Sequence, residues 1–182
     1  MRRLTRTAAL LFPLVLVTGC GSDPMSTDDV LGKAGNLQSP RAGLYRTRTE
    51  LVSFEVPGLP PAEADLFRTR MAGLTANPQE SCVTEEQADQ GFDDLLKSIG
   101  EGVNGLTCGF ERFETDPPEL DALLACEGAA AMSAEIALSG TADAESMSLT
   151  MKMETNSPVI PGQFMQMEFA VSAERTGDCP AG

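Results

Sequence analysis

The sequence predicts a mainly β (α+β) protein: a curved antiparallel β-meander of about six strands with one or two short helical inserts, stapled by disulfides. Three observations lead there. Residues 132–138, 147–153 and 165–171 each alternate apolar and polar side chains with a period of two, the pattern of strands with one buried and one wet face. Residues 44–56, LYRTRTELVSFEV, are rich in the β-branched and aromatic types that suit a strand. Cys82, Cys108, Cys126 and Cys179 form an even set, suited to two disulfides in an exported chain.

Export is written at the N-terminus. Arg2, Arg3 and Arg6 form a positive head, residues 8–17 an apolar stretch, and Thr18-Gly19 a small-residue site before Cys20. That stretch is half the ~20 residues needed to cross a bilayer. Val17-Thr18-Gly19-Cys20 resembles a bacterial lipobox, which implies cleavage before Cys20 and acylation of its thiol. Residues 1–19 are then a lipoprotein signal peptide, and the protein is periplasmic, anchored to the membrane by lipidated Cys20. Gly21, where an Asp would signal inner-membrane retention, points to the outer membrane. Residues 20–41 read as the lipidated Cys plus a flexible Gly/Ser/Asp/Pro tether, of about 25 Å r.m.s. span. Residues 42–182 form a single β-rich domain.

Within that domain the alternation of 44–56 slips: Tyr45 and Leu51 share one parity, and Val52, Phe54 and Val56 the other. A β-bulge near Leu51 would bring both sets to one face. Residues 62–72 read as a helix with Pro61 at its start, Gly73 as its stop and Leu66, Phe67 and Met71 as its apolar stripe. Thr84 and Gln87 make a capping box for a second helix reaching Ile99, with Phe92, Leu95, Leu96 and Ile99 as its buried face and Gly91 a weak point. Residues 108–115 and 120–127 flank Asp-Pro-Pro, a turn signal, although ELDALLACEG also suits a helix. Cys108 and Cys126 stand nine residues either side of Pro117, so a hairpin with an odd-length loop sets them opposite each other. The favoured pairing is therefore Cys108–Cys126 with Cys82–Cys179; the rival is Cys82–Cys108 with Cys126–Cys179.

Composition bounds the chemistry. The formal net charge of −14 becomes −17 once a leader holding Arg2, Arg3 and Arg6 and no acid is removed, which excludes nucleic acid as a partner. The chain has no His, which removes the usual general base and every Ser-His or Cys-His nucleophile pair. No C-x-x-C or G-x-S-x-G occurs. No catalysis and no cofactor is expected. Asp89 and Asp93, at i and i+4, could hold a divalent ion weakly, but a solvated helix face accounts for them. Met151, Met153, Met165 and Met167 form two M-x-M pairs whose side chains share a face within each strand. Soft thioethers suit Cu(I); adaptable apolar packing accounts for them better, because Met147, Leu149, Phe169 and Val171 share that face. The expected role is a binding or structural envelope module for an apolar small molecule or an envelope protein partner, with Cu(I) binding as the alternative.

The ordered set AGLYRTRTELVSFEVPGLPP, CVTEEQA, CGFERFETDPPELDALLAC, MSLTMKM, MQMEF and RTGDCP resembles a group of small exported Gram-negative proteins, domain of unknown function 3617, over residues 42–181. The resemblance implies an envelope protein with a β-rich domain and carries no activity or site residues. Ala42-Gly43-Leu44-Tyr45 stands where that group has PGLW.

Overall fold

The computed structural model describes residues 24–101 and 105–180. The signal peptide and Cys20 lie outside the described residues, as does the side chain of Leu95. Seven strands, β1 (Gly43–Glu55), β2 (Gln79–Val83), β3 (Leu106–Asp116), β4 (Glu119–Gly128), β5 (Ser133–Ala142), β6 (Ser146–Asn156) and β7 (Phe164–Gly177), form one antiparallel sheet. Its order is β2-β1-β7-β6-β5-β4-β3, so the sheet is open, with β2 and β3 as its edges. Among the described residues four α-helices accompany it: α1 (Thr27–Ala34), α2 (Pro61–Thr75), α3 (Glu85–Gln90) and α4 (Asp93–Glu101). Among the described residues no helix is long and apolar enough to cross a membrane.

Period-two patterning gives the sheet one apolar face. Partners in register run Phe110/Leu124/Ile136/Met153/Met167/Phe54 from β3 to β1. The next row is Phe113/Ala122/Leu138/Met151/Phe169/Leu51. Two clusters form on that face. In one, Val30 and Ala34 of α1 and Leu96 of α4 close over Phe110, Phe113, Leu124 and the Cys108–Cys126 pair. In the other, Phe54, Val56, Met167 and Phe169 are buried, with Met71 of α2 packed against them. The bulge in β1 falls between Leu51 and Ser53 and switches the inward parity from Tyr45 and Leu51 to Phe54 and Val56. Val52 itself is the extra residue, and it is 55% exposed rather than inward.

Several expectations need correction. Residues 24–41 are no flexible tether: Ser26 caps α1 by accepting from the Asp29 amide, and Val30, Ala34 and Leu37 are buried. Val30 and Ala34, at i and i+4, share one face of α1, and Leu37 in the turn after it adds to the buried set that docks this polar segment. The single helix expected over residues 85–99 is two, because Gly91 turns out of the helix at φ +61. Helix α2 passes Gly73 to Thr75, and its expected stripe is largely wet, with Leu66 61% and Phe67 45% exposed. Strand β2 was not expected.

Candidate functional site

The chemistry-bearing residues gather at three places. First is the methionine face. Strands β6 and β7 are hydrogen-bonded neighbours, with Met153 directly opposite Met167, Met151 opposite Phe169 and Met165 opposite Thr155. All four methionines belong to the cluster around Phe54 and Phe169. Met167 is buried, whereas Met151, Met153 and Met165 are half-buried, as are their neighbours Ile136 and Leu138 on β5. The cause is the layout of the helices. Helices α1 and α4 pack at β3 and α2 packs at β1, leaving the middle of the apolar face thinly covered. Helix α2 itself buries no residue. Besides Met71, a hydrogen bond from the Arg68 guanidinium to the Phe54 carbonyl (3.3 Å) ties it down.

Sequence reasoning located the methionines but not their setting. It placed Phe169 on the methionine face but missed Phe54, and it missed that Leu74, 73% exposed on α2, extends an exposed apolar edge with Leu66 and Phe67. No local signal marks that edge, because the i, i+4, i+7 spacing of Phe67, Met71 and Leu74 reads as one inward stripe, of which Met71 packs against the core.

Second are the disulfides. Cys108 and Cys126 are bonded across β3 and β4 in direct register, inside the apolar cluster. Cys82 and Cys179 are bonded with Cα atoms 5.5 Å apart, fastening β2 to the chain just beyond β7. A cleft of about 610 Å³ beside this second bond is lined by Arg41, Thr84, Glu85, Arg175 and Asp178 among others. Both of its arginines are paired, Arg41 with Glu145 at 2.6 Å and Arg175 with Asp178 at 2.6 Å. Close by, the buried Tyr45 hydroxyl lies 2.8 Å from the Arg41 carbonyl and 2.9 Å from that of Ala144, which share its one proton. Burial pushes the Tyr45 phenol above its ordinary pKa, against the charge of Arg175.

Third is the acidic helical insert. Asp89 and Asp93 do not share a helix face, because the break at Gly91 puts them in α3 and α4. Asp93 instead reaches Lys97 at 3.9 Å within α4. Among the described residues no three His, Cys, Asp or Glu side chains converge as a metal site, and the buried polar residues are Thr155 and Ser157.

No curated protein and no solved structure matches the chain. The model of one family, protein of unknown function DUF3617, matches residues 40–179, which covers all seven strands and both disulfides, and the chain belongs to that family.

Proposed function

We propose that the protein is a lipid-anchored envelope module that binds an apolar ligand or protein partner through the inner face of its sheet and performs no catalysis. The observation that carries this reading is the half-covered row of Ile136, Leu138, Met151, Met153 and Met165 in the middle of an otherwise closed apolar face. Methionine suits such a surface because its unbranched thioether re-packs around different shapes. Helix α2, held mainly by Met71 and Arg68, is the element that would shift to admit a guest. The non-catalytic reading rests on the chain's lack of His and on carboxylates that sit at exposed positions. The anchor reading rests on Cys20 in its lipobox-like context; it places the protein at the periplasmic side of the outer membrane. Native mass spectrometry of the mature domain, purified from the periplasm without Cys20, tests the binding. A co-purified apolar mass supports an apolar ligand; a bare mass that also fails to take up an added fatty acid overturns that ligand and leaves a protein partner as the occupant. Detergent-phase partitioning tests the anchor. Cys20→Ser should move the protein to the aqueous phase, and unchanged partitioning would reject acylation.

Cu(I) binding is the second reading, favoured by one observation: four thioethers on one face of two neighbouring strands. Replacing Met151, Met153, Met165 and Met167 by Leu should keep fold and apolar binding while abolishing Cu(I) uptake. Undiminished Cu(I) affinity in that variant would eliminate the methionine site.

A further inference from the structure

The two ends of the sheet differ in chemistry, and Pro24, the first described residue, lies nearer one of them. At the first end lie the β1–α2 connection (residues 56–60), the β4–β5 turn (129–132) and the β6–β7 turn (157–163). None of these three carries a charged residue. Ala129, Ala130 and Ala131 are exposed, and Val159 is 81% exposed. Two of the three are packed together: Gly58 lies against the backbone of Pro161 and Gly162, where no Cβ would fit. Charge at this end sits outside the turns, on Glu55 of β1, Glu63 of α2 and Glu127 of β4. The opposite end carries the β3–β4 turn, flanked by the strand ends Asp116 and Glu119, and the β5–β6 turn, which holds Asp143 and Glu145.

Helix α1 lies along β3 between these ends. Its leading residue Met25 donates its amide to the Phe110 carbonyl (2.6 Å), and Pro24 lies against Gly109, toward the uncharged end. Its last turn reaches the other way, with Lys33 paired to Glu114 at 2.8 Å and the Thr115 hydroxyl donating to the Lys33 carbonyl. Only Gly21, Ser22 and Asp23 separate Cys20 from Pro24. Covalent geometry therefore holds the Cys20 Cα within about 14 Å of Pro24. The acidic β3–β4 turn begins seven residues along β3 from Gly109, about 24 Å away. Docking of α1 thus removes the long tether that would let the domain tumble.

We infer that the end formed by the uncharged turns is a bilayer-facing surface, seated on phospholipid with the acidic turns directed away. The inference rests on the reading of Cys20 as a lipid anchor for the position of the membrane. It is supported separately by the charge distribution. Exposed apolar turns gain by entering the headgroup region, and carboxylates lose by approaching it. The acyl chains hold the protein, and the turns orient it.

The experiment uses the full acylated protein on phosphatidylcholine vesicles containing a headgroup spin-labelled lipid. A fluorescent amino acid is placed singly at Val159, Ala130 or Glu119. The expected result is loss of most emission at Val159 and Ala130 and none at Glu119. Adding Val159→Asp should restore much of the emission from a reporter at Ala130. Equal quenching at all three positions, stronger quenching at Glu119, or no quenching of a protein that still floats with the vesicles would overturn the orientation while leaving the anchor intact. If the acylation-competent protein does not float, or Cys20→Ser floats equally well, the anchor reading itself fails.

Discussion

Tyr45 shows how much a single residue can report. It is the chain's one tyrosine, and the chain has no tryptophan, so near-ultraviolet tyrosinate absorbance reads this phenol alone. Burial raises its pKa in the folded state, while the unfolded chain titrates near 10. The sign follows from which form each state prefers. Below pH ~10 both states keep the proton and the folded contribution is intact. As pH rises beyond that, the unfolded phenol ionises first and stability falls until the folded phenol ionises too. Spectrophotometric titration should therefore give a midpoint above that of free tyrosine, and a midpoint at or below it would mean the hydroxyl is wet. Tyr45→Phe should cost about 1 kcal/mol at neutral pH by abandoning the Arg41 and Ala144 carbonyls, and should abolish the alkaline loss. Tyr45 as an inward strand residue is legible from its parity with Leu51. Its polar partners are not, because Ala144 is brought to it by a turn 99 residues away.

Among the elements, the Cys108–Cys126 register shows a right outcome reached by a different route. A hairpin centred on Pro117 with an odd loop puts these residues opposite each other. The observed loop is the two-residue Pro117-Pro118, with Asp116 facing Glu119, which alone would set Cys108 off by one. An irregularity between Phe110 and Arg112 takes up the extra residue and restores the pair. Bulges leave little trace in composition, so local pattern gives the strands and not the offset. Strand β2 was unreadable for a related reason. Its QESCV sequence alternates weakly, its first four residues are exposed, and only five residue pairs join it to β1. The Cys82–Cys179 bond, spanning 97 residues of chain, is then its main restraint. Hydrogen exchange should show this directly. In Cys82→Ala/Cys179→Ala the amides of residues 79–83 should lose protection while β3 to β7 keep theirs, as local rather than global opening. The Cys108→Ala/Cys126→Ala pair should instead lower global stability, by roughly 3–5 kcal/mol from loop entropy plus lost core packing. Protection of β2 unchanged by loss of its disulfide would mean its hydrogen bonds suffice.

The whole molecule is a meander whose last strand returns to its first. The consecutive pairings from β3 to β7 follow from short turns, and period-two patterning exposes most of them in the sequence. The pairing of β1 with β7 joins segments more than 100 residues apart, which no local period encodes. What the sequence does state globally is charge: 27 acids against 13 bases. Salt acts on this imbalance in two opposed ways. It weakens attractive pairs, but the eight ion pairs of the described residues are mostly exposed and worth about 0–1 kcal/mol each. It also screens the surplus acids. Like charges ~10 Å apart in water repel by roughly 0.4 kcal/mol per pair, and screening cuts in on that length at about 0.1 M salt. With twice as many acids as bases, repulsions outnumber attractions, most visibly at the end bearing Asp116, Glu119, Asp143 and Glu145. Raising sodium chloride from low to roughly physiological strength should therefore raise Tm by a few degrees, about the effect of 1–2 kcal/mol on a domain of this size. Glu119→Gln together with Asp143→Asn should raise Tm at low salt and flatten its salt dependence. A Tm that falls with salt in the parent protein would show instead that the exposed ion pairs outweigh the surplus of acids.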